Sequence, residues 1–224
     1  MMKWKGSATA GSIVLTAVVA ISLLMGCSSG QPANGEPPNG ATQALGAHEH
    51  LVGAVLWVQT AAEARALCYQ AFNLAEMKLD EALQSQTGGE SLAVVVDIDE
   101  TLLDNSPAYA EMIKTDGLYG NCWLEWVGLA EAEALPGAGD FLDFAESRGV
   151  EVFYVSNRYE GQRDATMENL TGAGFPYVDN DHVLLREADS SKEGRRQAVA
   201  EDCEIALLIG DNAIDFADEF DDKS

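Results

Sequence analysis

Two aspartates, Asp97 and Asp99, follow a run of apolar, strand-forming residues at positions 92–96. Side chains two residues apart on an extended chain point the same way, so both carboxylates are expected to face one site. An apolar run without polar alternation is typical of a strand buried on both faces of a parallel sheet, and ligands bind beyond the carboxyl ends of such strands. Paired carboxylates at that place suit a metal site, a nucleophile or an acid/base pair.

Three more polar clusters occur downstream, each next to a predicted strand end or helix start. They are Ser156-Asn157-Arg158 after the predicted strand 150–155, Lys192 at the start of a predicted helix 193–200, and Asp211 to Asp215 after the predicted strand 205–209. Ordinary core packing explains the apolar runs but not the polar clusters that follow them.

In this order the four clusters resemble the motifs of the haloacid dehalogenase (HAD) superfamily of phosphohydrolases. The segments VVVDIDETLLDNSPAYA, CWLEWV, VFYVSNR and IGDNAIDF are similar to the bacterial lipoprotein acid phosphatase and 5′-nucleotidase family, also called class C acid phosphatases. The resemblance covers roughly residues 55–220. It implies an α/β three-layer sandwich with a mostly parallel Rossmann-like sheet. The HAD-like domain would span 48–224, with a small helical cap inserted after the first motif, at about 104–136.

The resemblance implies an acid phosphatase that hydrolyses small phosphomonoesters, nucleoside 5′-monophosphates among them, through an aspartyl-phosphate. Asp97 would be the nucleophile, and Asp99 would act as general acid and then as general base. Two alternatives stay open: a phosphotransferase that uses the same intermediate, and a surface binding lipoprotein whose phosphatase site has lapsed.

A divalent cation is expected because neighbouring carboxylates cannot all stay ionised without a counter-charge. Oxygen ligands favour Mg²⁺. In the family pattern it is held by Asp97, the backbone carbonyl of Asp99, and Asp211. Asp215, predicted one helical turn after Asp211, would orient either a water in the metal site or Lys192.

Ser156, Asn157 and Lys192 are the predicted phosphate-binding residues, since they can donate to the phosphoryl oxygens and neutralise their charge. Arg158 is either a further phosphate contact or a solvated side chain. In the predicted cap, Trp123 is expected to form a stacking wall for the leaving group; packed core is the alternative for Trp123 and Trp126.

Residues 1–26 have a basic start, a short apolar run and a small residue before Cys27, which predicts a secretory signal peptide. The ending Leu24-Met25-Gly26-Cys27 resembles a lipoprotein signal, so Cys27 is expected to be lipidated. Residues 27–47 would be a flexible tether. These features predict an exported protein anchored by lipid in the bacterial cell envelope. The anchor would be in the outer membrane if the source is Gram-negative, because the residue after Cys27 is Ser28 rather than aspartate.

The net charge of −24 argues against a nucleic-acid polymer as partner. The three cysteines after Cys27 have no metal-site spacing, and buried free thiols are expected. Apolar residues recur every three or four positions over 51–83, which predicts one long helix or two packed on the sheet. A homo-oligomer is compatible with the sequence. Compared with the family, the C-terminus is expected to be shortened.

Overall fold

The apolar run before Asp97 forms the central strand of a parallel sheet. The structure is a computed structural model that describes the backbone of residues 15–18 and all of residues 46–220. Its strands are β1 (Leu15–Val18), β2 (Ser91–Val96), β3 (Leu103–Asp104), β4 (Glu133–Ala134), β5 (Glu151–Tyr159), β6 (Val183–Arg186) and β7 (Cys203–Gly210). The main sheet has the parallel order β1-β7-β2-β5-β6, while β3 and β4 form a separate antiparallel pair.

The helices are α1 (Val52–Thr60), α2 (Ala62–Ser85), α3 (Ser106–Thr115), α4 (Tyr119–Leu129), α5 (Ala138–Ser147), α6 (Arg163–Gly172) and α7 (Glu193–Asp202). Short 3₁₀ turns lie at Glu49–Leu51, Glu160–Gln162, Ala213–Asp215 and Asp218–Phe220.

The side chains of β2 are buried on both faces of the sheet, as the absence of polar alternation predicts. Val94 and Val96 pack in one core cluster with residues of α2, α5 and α6. Val95 faces the opposite side and packs in a second cluster with Val199 of α7. Burying one such side chain stabilises the fold by about 1.5–3 kcal/mol. The predicted α/β three-layer sandwich is therefore confirmed.

The helical stripe at 51–83 forms two helices, α1 and α2, rather than one. The chain between them is extended at Ala61, with φ −79° and ψ 129°. The buried residues of α2 lie on one face at spacings of three and four: Ala64, Cys68, Phe72, Ala75 and Leu79. In the described part of the chain no single helix has the length and apolar composition to cross a membrane, although the bent pair Glu49–Thr60 and Ala62–Ser85 meets those two criteria jointly.

The segment predicted as a cap contains α3 and α4. Pro107 lies in the first turn of α3, where its missing N–H costs no helical hydrogen bond. Both helices end on a left-handed residue, Asp116 and Ala130. The pairing of β3 with β4 joins the two ends of this segment, so the chain of the predicted cap begins and ends at the same place.

Strand β1 lies within the predicted signal peptide and pairs in parallel with the outer side of β7. Removal of residues 1–26 would leave β7 as the edge of the sheet. The rest of that peptide, the lipidation site Cys27 and most of the tether lie outside the described residues.

Candidate active site

The carboxyl ends of β2, β5 and β7 lie side by side, and this brings three of the four polar clusters together. In register, Val96 pairs with Ile209 on one side and Tyr154 on the other. The Asp97 N–H continues the ladder by donating to the Ile209 carbonyl at 2.9 Å. Asp97 and Asp211 directly follow β2 and β7, whereas Ser156, Asn157 and Arg158 lie within the last residues of β5, which is longer than predicted. These predicted site residues are consequently neighbours.

Lys192 brings in the fourth cluster from the start of α7. Its Nζ donates to Asp97 Oδ1 and, at 2.7 Å, to Asp215 Oδ1. The Lys192 and Asp215 side chains are only 4% and 7% exposed. Thr101 Oγ1 donates to the other oxygen of Asp97 at 3.2 Å. The candidate nucleophile thus lies in a buried network of opposite charges.

Oxygens of Asp97, Asp211 and Asp215 lie within 4.8 Å of one another. Burial raises the pKa of Asp97 to about 7, with Lys192 opposing the shift and Asp215 adding to it. Burial and the charge of Asp215 likewise raise the pKa of Asp211 to about 6. One lysine cannot neutralise three carboxylates, and a set of hard oxygen donors with excess negative charge fits a divalent cation.

The hydrogen bonds of Asp215 distinguish between the two roles predicted for this residue. Both oxygens of Asp215 already accept hydrogen bonds, Oδ1 from Lys192 and Oδ2 from the Asn212 N–H at 3.0 Å. Of the two roles predicted for Asp215, orienting a water in the metal site or orienting Lys192, the structure shows the contact with Lys192. Both oxygens of Asp97 also accept hydrogen bonds, from Lys192 and Thr101, so the ligand set of Asp97, Asp211 and the Asp99 carbonyl stays a prediction.

The turn that carries Asp215 differs from the expected α-helical turn. It is a 3₁₀ turn, Ala213–Asp215, closed by a capping box with Asn212. Asn212 Oδ1 accepts from the Ile214 N–H at 3.2 Å, while Asp215 caps the Asn212 N–H. A Cβ at Gly210 would come within 2.6 Å of the Asp215 Cβ, so this close approach requires glycine.

Asp99 is held by residues that the sequence did not identify as its partners. Arg158 Nη2 and Nε donate to Oδ1 at 2.8 and 3.0 Å, and Asn105 Nδ2 donates to the same oxygen at 2.9 Å. Oδ2 has only longer contacts, 3.2 Å to Arg158 Nε and 3.4 Å to Ser156 Oγ. Oδ2 is therefore the oxygen available for proton transfer, and it lies beside a predicted phosphate donor.

Arg158 is 2% exposed, so the prediction that it could be a solvated side chain is wrong. Its guanidinium spans Asp99, Thr166 Oγ1 at 3.4 Å, and the ring of Trp123 at 5.7 Å. No periodic pattern separates such an arginine from a surface one. The only sequence signal is its position directly after Ser156 and Asn157.

The two cap tryptophans have different environments. Trp126 packs against the main core and donates from Nε1 to Asn105 Oδ1 at 2.8 Å, which steadies the amide that binds Asp99. Trp123 is half-buried beside Arg158 and stacks on Tyr119, with centroids 5.9 Å apart. Tyr119 in turn stacks on Tyr109, so three rings form a row that starts next to Arg158.

Glu100 is a residue that the sequence reasoning missed. Its φ is 60°, a left-handed conformation that is uncommon outside glycine. Its Oε1 is buried without a hydrogen-bond partner among the described residues, and burial raises the pKa of this carboxyl well above its usual range. Glu100 lines a cavity of about 250 Å³ together with Asp211, Tyr109 and Val58.

The cysteines Cys68, Cys122 and Cys203 are free thiols, as expected. Cys122 differs from the expectation in being half-buried rather than buried.

Known proteins are similar to this chain in sequence and in fold. A family model described as HAD superfamily, subfamily IIIB (acid phosphatase) matches residues 21–224. Two structures of the class C acid phosphatase from Bacillus anthracis, one with tungstate bound, are 45% identical with a TM-score of 0.74. Each comparison covers 76% of this chain and 72% of the other.

Among curated proteins, acid phosphatase 1 of Solanum lycopersicum is 31% identical over 132 residues. Vegetative storage protein 2 of Arabidopsis thaliana is 29% identical over 137 residues. These matches cover 55% and 56% of this chain, and the chain spans about half the length of both relatives (50% each).

Proposed function

Because the chain belongs to the subfamily IIIB acid phosphatases of the HAD superfamily, a family of phosphoric monoester hydrolases, we propose that it hydrolyses small phosphomonoesters through an aspartyl-phosphate. The observation that carries this proposal is the environment of Asp97. Its carboxylate is buried against Lys192, close to the oxygens of Asp211 and Asp215, and follows the central strand of the sheet. A nucleophile there can attack a phosphoryl group whose negative charge would be neutralised by Lys192 and by a cation held among the carboxylates.

In the first step an oxygen of Asp97 attacks phosphorus, and the bond from phosphorus to the leaving oxygen breaks. Asp99 supplies the proton that this oxygen needs. The proton is best placed on Oδ2, because three donors already occupy Oδ1. In the second step Asp99 takes a proton from water, whose oxygen attacks phosphorus, and Asp97 is regenerated with release of inorganic phosphate.

Asp97, Asp211 and the Asp99 carbonyl would hold the divalent cation, and we propose Mg²⁺ because all the donors are oxygens. When bound, the cation neutralises charge on the phosphoryl oxygens and so favours attack by a carboxylate. Ser156 Oγ, the Asn157 amide and Lys192 Nζ would donate to the remaining phosphoryl oxygens.

For the leaving group, we propose nucleosides among other small alcohols. Support comes from the row Tyr109–Tyr119–Trp123, whose Trp123 ring lies 5.7 Å from the guanidinium of Arg158, the residue that binds Asp99. A row of aromatic rings there suits a planar leaving group. A substrate panel that compares nucleoside 5′-monophosphates with glycerol phosphate tests this, and Trp123→Ala should raise KM for the nucleotides more than for glycerol phosphate.

The test of the activity is hydrolysis of an aryl phosphate by the protein with Mg²⁺, with EDTA, and as the Asp97→Asn variant. Loss of the nucleophile is expected to lower kcat by at least ~10³-fold. Asp143→Asn on the exposed face of α5 is the matched control and should keep full activity. Turnover that survives Asp97→Asn would refute the aspartyl-phosphate. A folded protein that binds phosphate without turnover would favour the binding-lipoprotein alternative.

We also propose that the protein is exported and anchored by lipid on Cys27. The support is the Leu-Met-Gly-Cys ending of the predicted signal peptide. In a bacterial host, wild-type protein should take up labelled palmitate and fractionate with membranes, and Cys27→Ala should do neither. Labelling of Cys27→Ala would show that another residue carries the lipid.

A further inference from the structure

Arg195 lies in the first turn of α7, three residues after Lys192, and its guanidinium donates to three separate segments. Nη2 donates to Asn157 Oδ1 at 2.8 Å and to the Ser191 carbonyl at 3.0 Å. Nη1 donates to the Ser156 carbonyl and, at 3.4 Å, to the Leu184 carbonyl. One side chain thereby joins the end of β5, strand β6 and the residue before Lys192.

The contact with Asn157 has a chemical consequence. A guanidinium has only donors, so the atom of Asn157 that faces it must be the carbonyl oxygen Oδ1. The amide nitrogen Nδ2 necessarily points away from Arg195, and it makes no hydrogen bond among the described residues. Rotating the amide by 180° would turn its N–H groups toward a cation and lose a charge-assisted hydrogen bond.

We propose that Arg195 is a positioning residue that keeps the Asn157 amide N–H directed at the phosphoryl group. This inference rests on the proposed function, in which Asn157 donates to a phosphoryl oxygen. Arg195 itself has no hydrogen bond to Asp97 or Asp99. It acts by fixing which end of the Asn157 amide meets the substrate.

The proposal is tested with Arg195→Met and Arg195→Lys, measuring KM, kcat and the inhibition constant of inorganic phosphate. Arg195→Met is expected to raise that constant about tenfold, the order of one charged hydrogen bond. Arg195→Lys keeps the charge but loses the planar fork, so its effect should be intermediate. Arg163→Met is the matched control: Arg163 also donates to a β6 carbonyl, of Val183 at 2.9 Å, but contacts no site residue.

A double-mutant cycle with Asn157→Ala separates positioning from general support of the fold. If Arg195 acts through the amide, Arg195→Met should add less than twofold to the inhibition constant once the amide is gone. An equal effect in both backgrounds, or an unchanged constant in Arg195→Met, would overturn the proposal. If Arg195→Met does not fold, the same cycle is made with Arg195→Lys.

The premise is checked separately. Asn157→Ala alone should weaken phosphate binding, and if it does not, the inference falls. The phosphatase activity is judged independently by the Asp97→Asn and EDTA experiments, so failure of one is distinguishable from failure of the other.

Discussion

Replacing Lys192 by Met removes the ammonium group that pairs with two buried carboxylates. This change tests the charge balance of the site most directly. Nζ bonds Asp97 and Asp215, whose side chains are 9% and 7% exposed. Removing one partner of a buried ion pair costs about 3–5 kcal/mol, because the remaining charge cannot be solvated. For a domain of this size that corresponds to a fall in Tm of roughly 6–20 °C.

The measurement is urea unfolding of wild type and Lys192→Met at pH 8 in EDTA, so that no divalent metal ion neutralises the carboxylates. Lys78→Met is the control. Lys78 pairs with Glu81 at 2.8 Å on the surface of α2, and loss of an exposed pair is expected to cost less than about 1 kcal/mol. In the Asp215→Asn background the cost of Lys192→Met should fall, because one of the two stranded charges is absent.

The loss of stability in Lys192→Met should also depend on pH, and the direction of that dependence follows from the pKa of Asp97. Burial raises the pKa of this carboxyl in the folded state to about 7, above the ordinary value of 3.8. Protonation therefore favours the folded state, and this stabilisation is lost as pH rises through about 7. Lys192→Met raises the pKa of Asp97 further, so the variant should recover part of its lost stability at pH 5. Equal stability of variant and wild type at pH 8 in EDTA would refute the conclusion that Lys192 neutralises the buried carboxylates.

Three further changes have outcomes that follow from single contacts. Arg158→Lys loses the planar fork on Asp99 and should lower kcat roughly 10–100-fold; steady-state kinetics with kcat within twofold of wild type would contradict this. Gly210→Ala places a Cβ within 2.6 Å of the Asp215 Cβ and should lower the free energy of unfolding by about 1–3 kcal/mol; an unchanged urea midpoint would show that the loop relaxes. Mg²⁺ affinity should fall roughly tenfold between pH 7 and pH 6, because a proton competes for Asp97, and more steeply below pH 6, where Asp211 is protonated as well; calorimetry that finds no fall between pH 7 and pH 6 would exclude Asp97 as a ligand.

The sequence predicts the parts of the fold that depend on local pattern. Strands β2, β5 and β7 are apolar runs that end on polar residues, and α2 shows a regular stripe, so each is recognisable alone. Strand β6 is not, because Val183–Arg186 is only four residues long and its three consecutive apolar residues do not distinguish a strand from a helix. Its place at the sheet edge depends on pairing with β5.

For the candidate site, too, the sequence predicts what depends on local pattern and not what depends on tertiary packing. Asp97, Lys192 and Asp211 belong to residue types and spacings that carry chemistry, and the sequence identifies them. What it does not show is how each is held. Asp99 depends on Arg158, 59 residues away, and Asp97 on Lys192, 95 residues away. Such partners are set by tertiary packing, and no local pattern encodes them.

The start of α7 illustrates why those partners matter. Three cationic residues there bind the surrounding loops: Lys192 binds Asp97 and Asp215, Arg195 binds Asn157, and Arg196 Nη1 donates to the Asp215 carbonyl at 2.8 Å. In the sequence nothing distinguishes the two adjacent arginines from solvated residues of a helix. In the structure they determine where the loops lie relative to Lys192, because each loop is tied to the same rigid helical turn. A small shift of α7 would consequently move the side chains of Asp97, Asn157 and Asp215 relative to one another, and substitutions in this turn are therefore expected to perturb the whole candidate site.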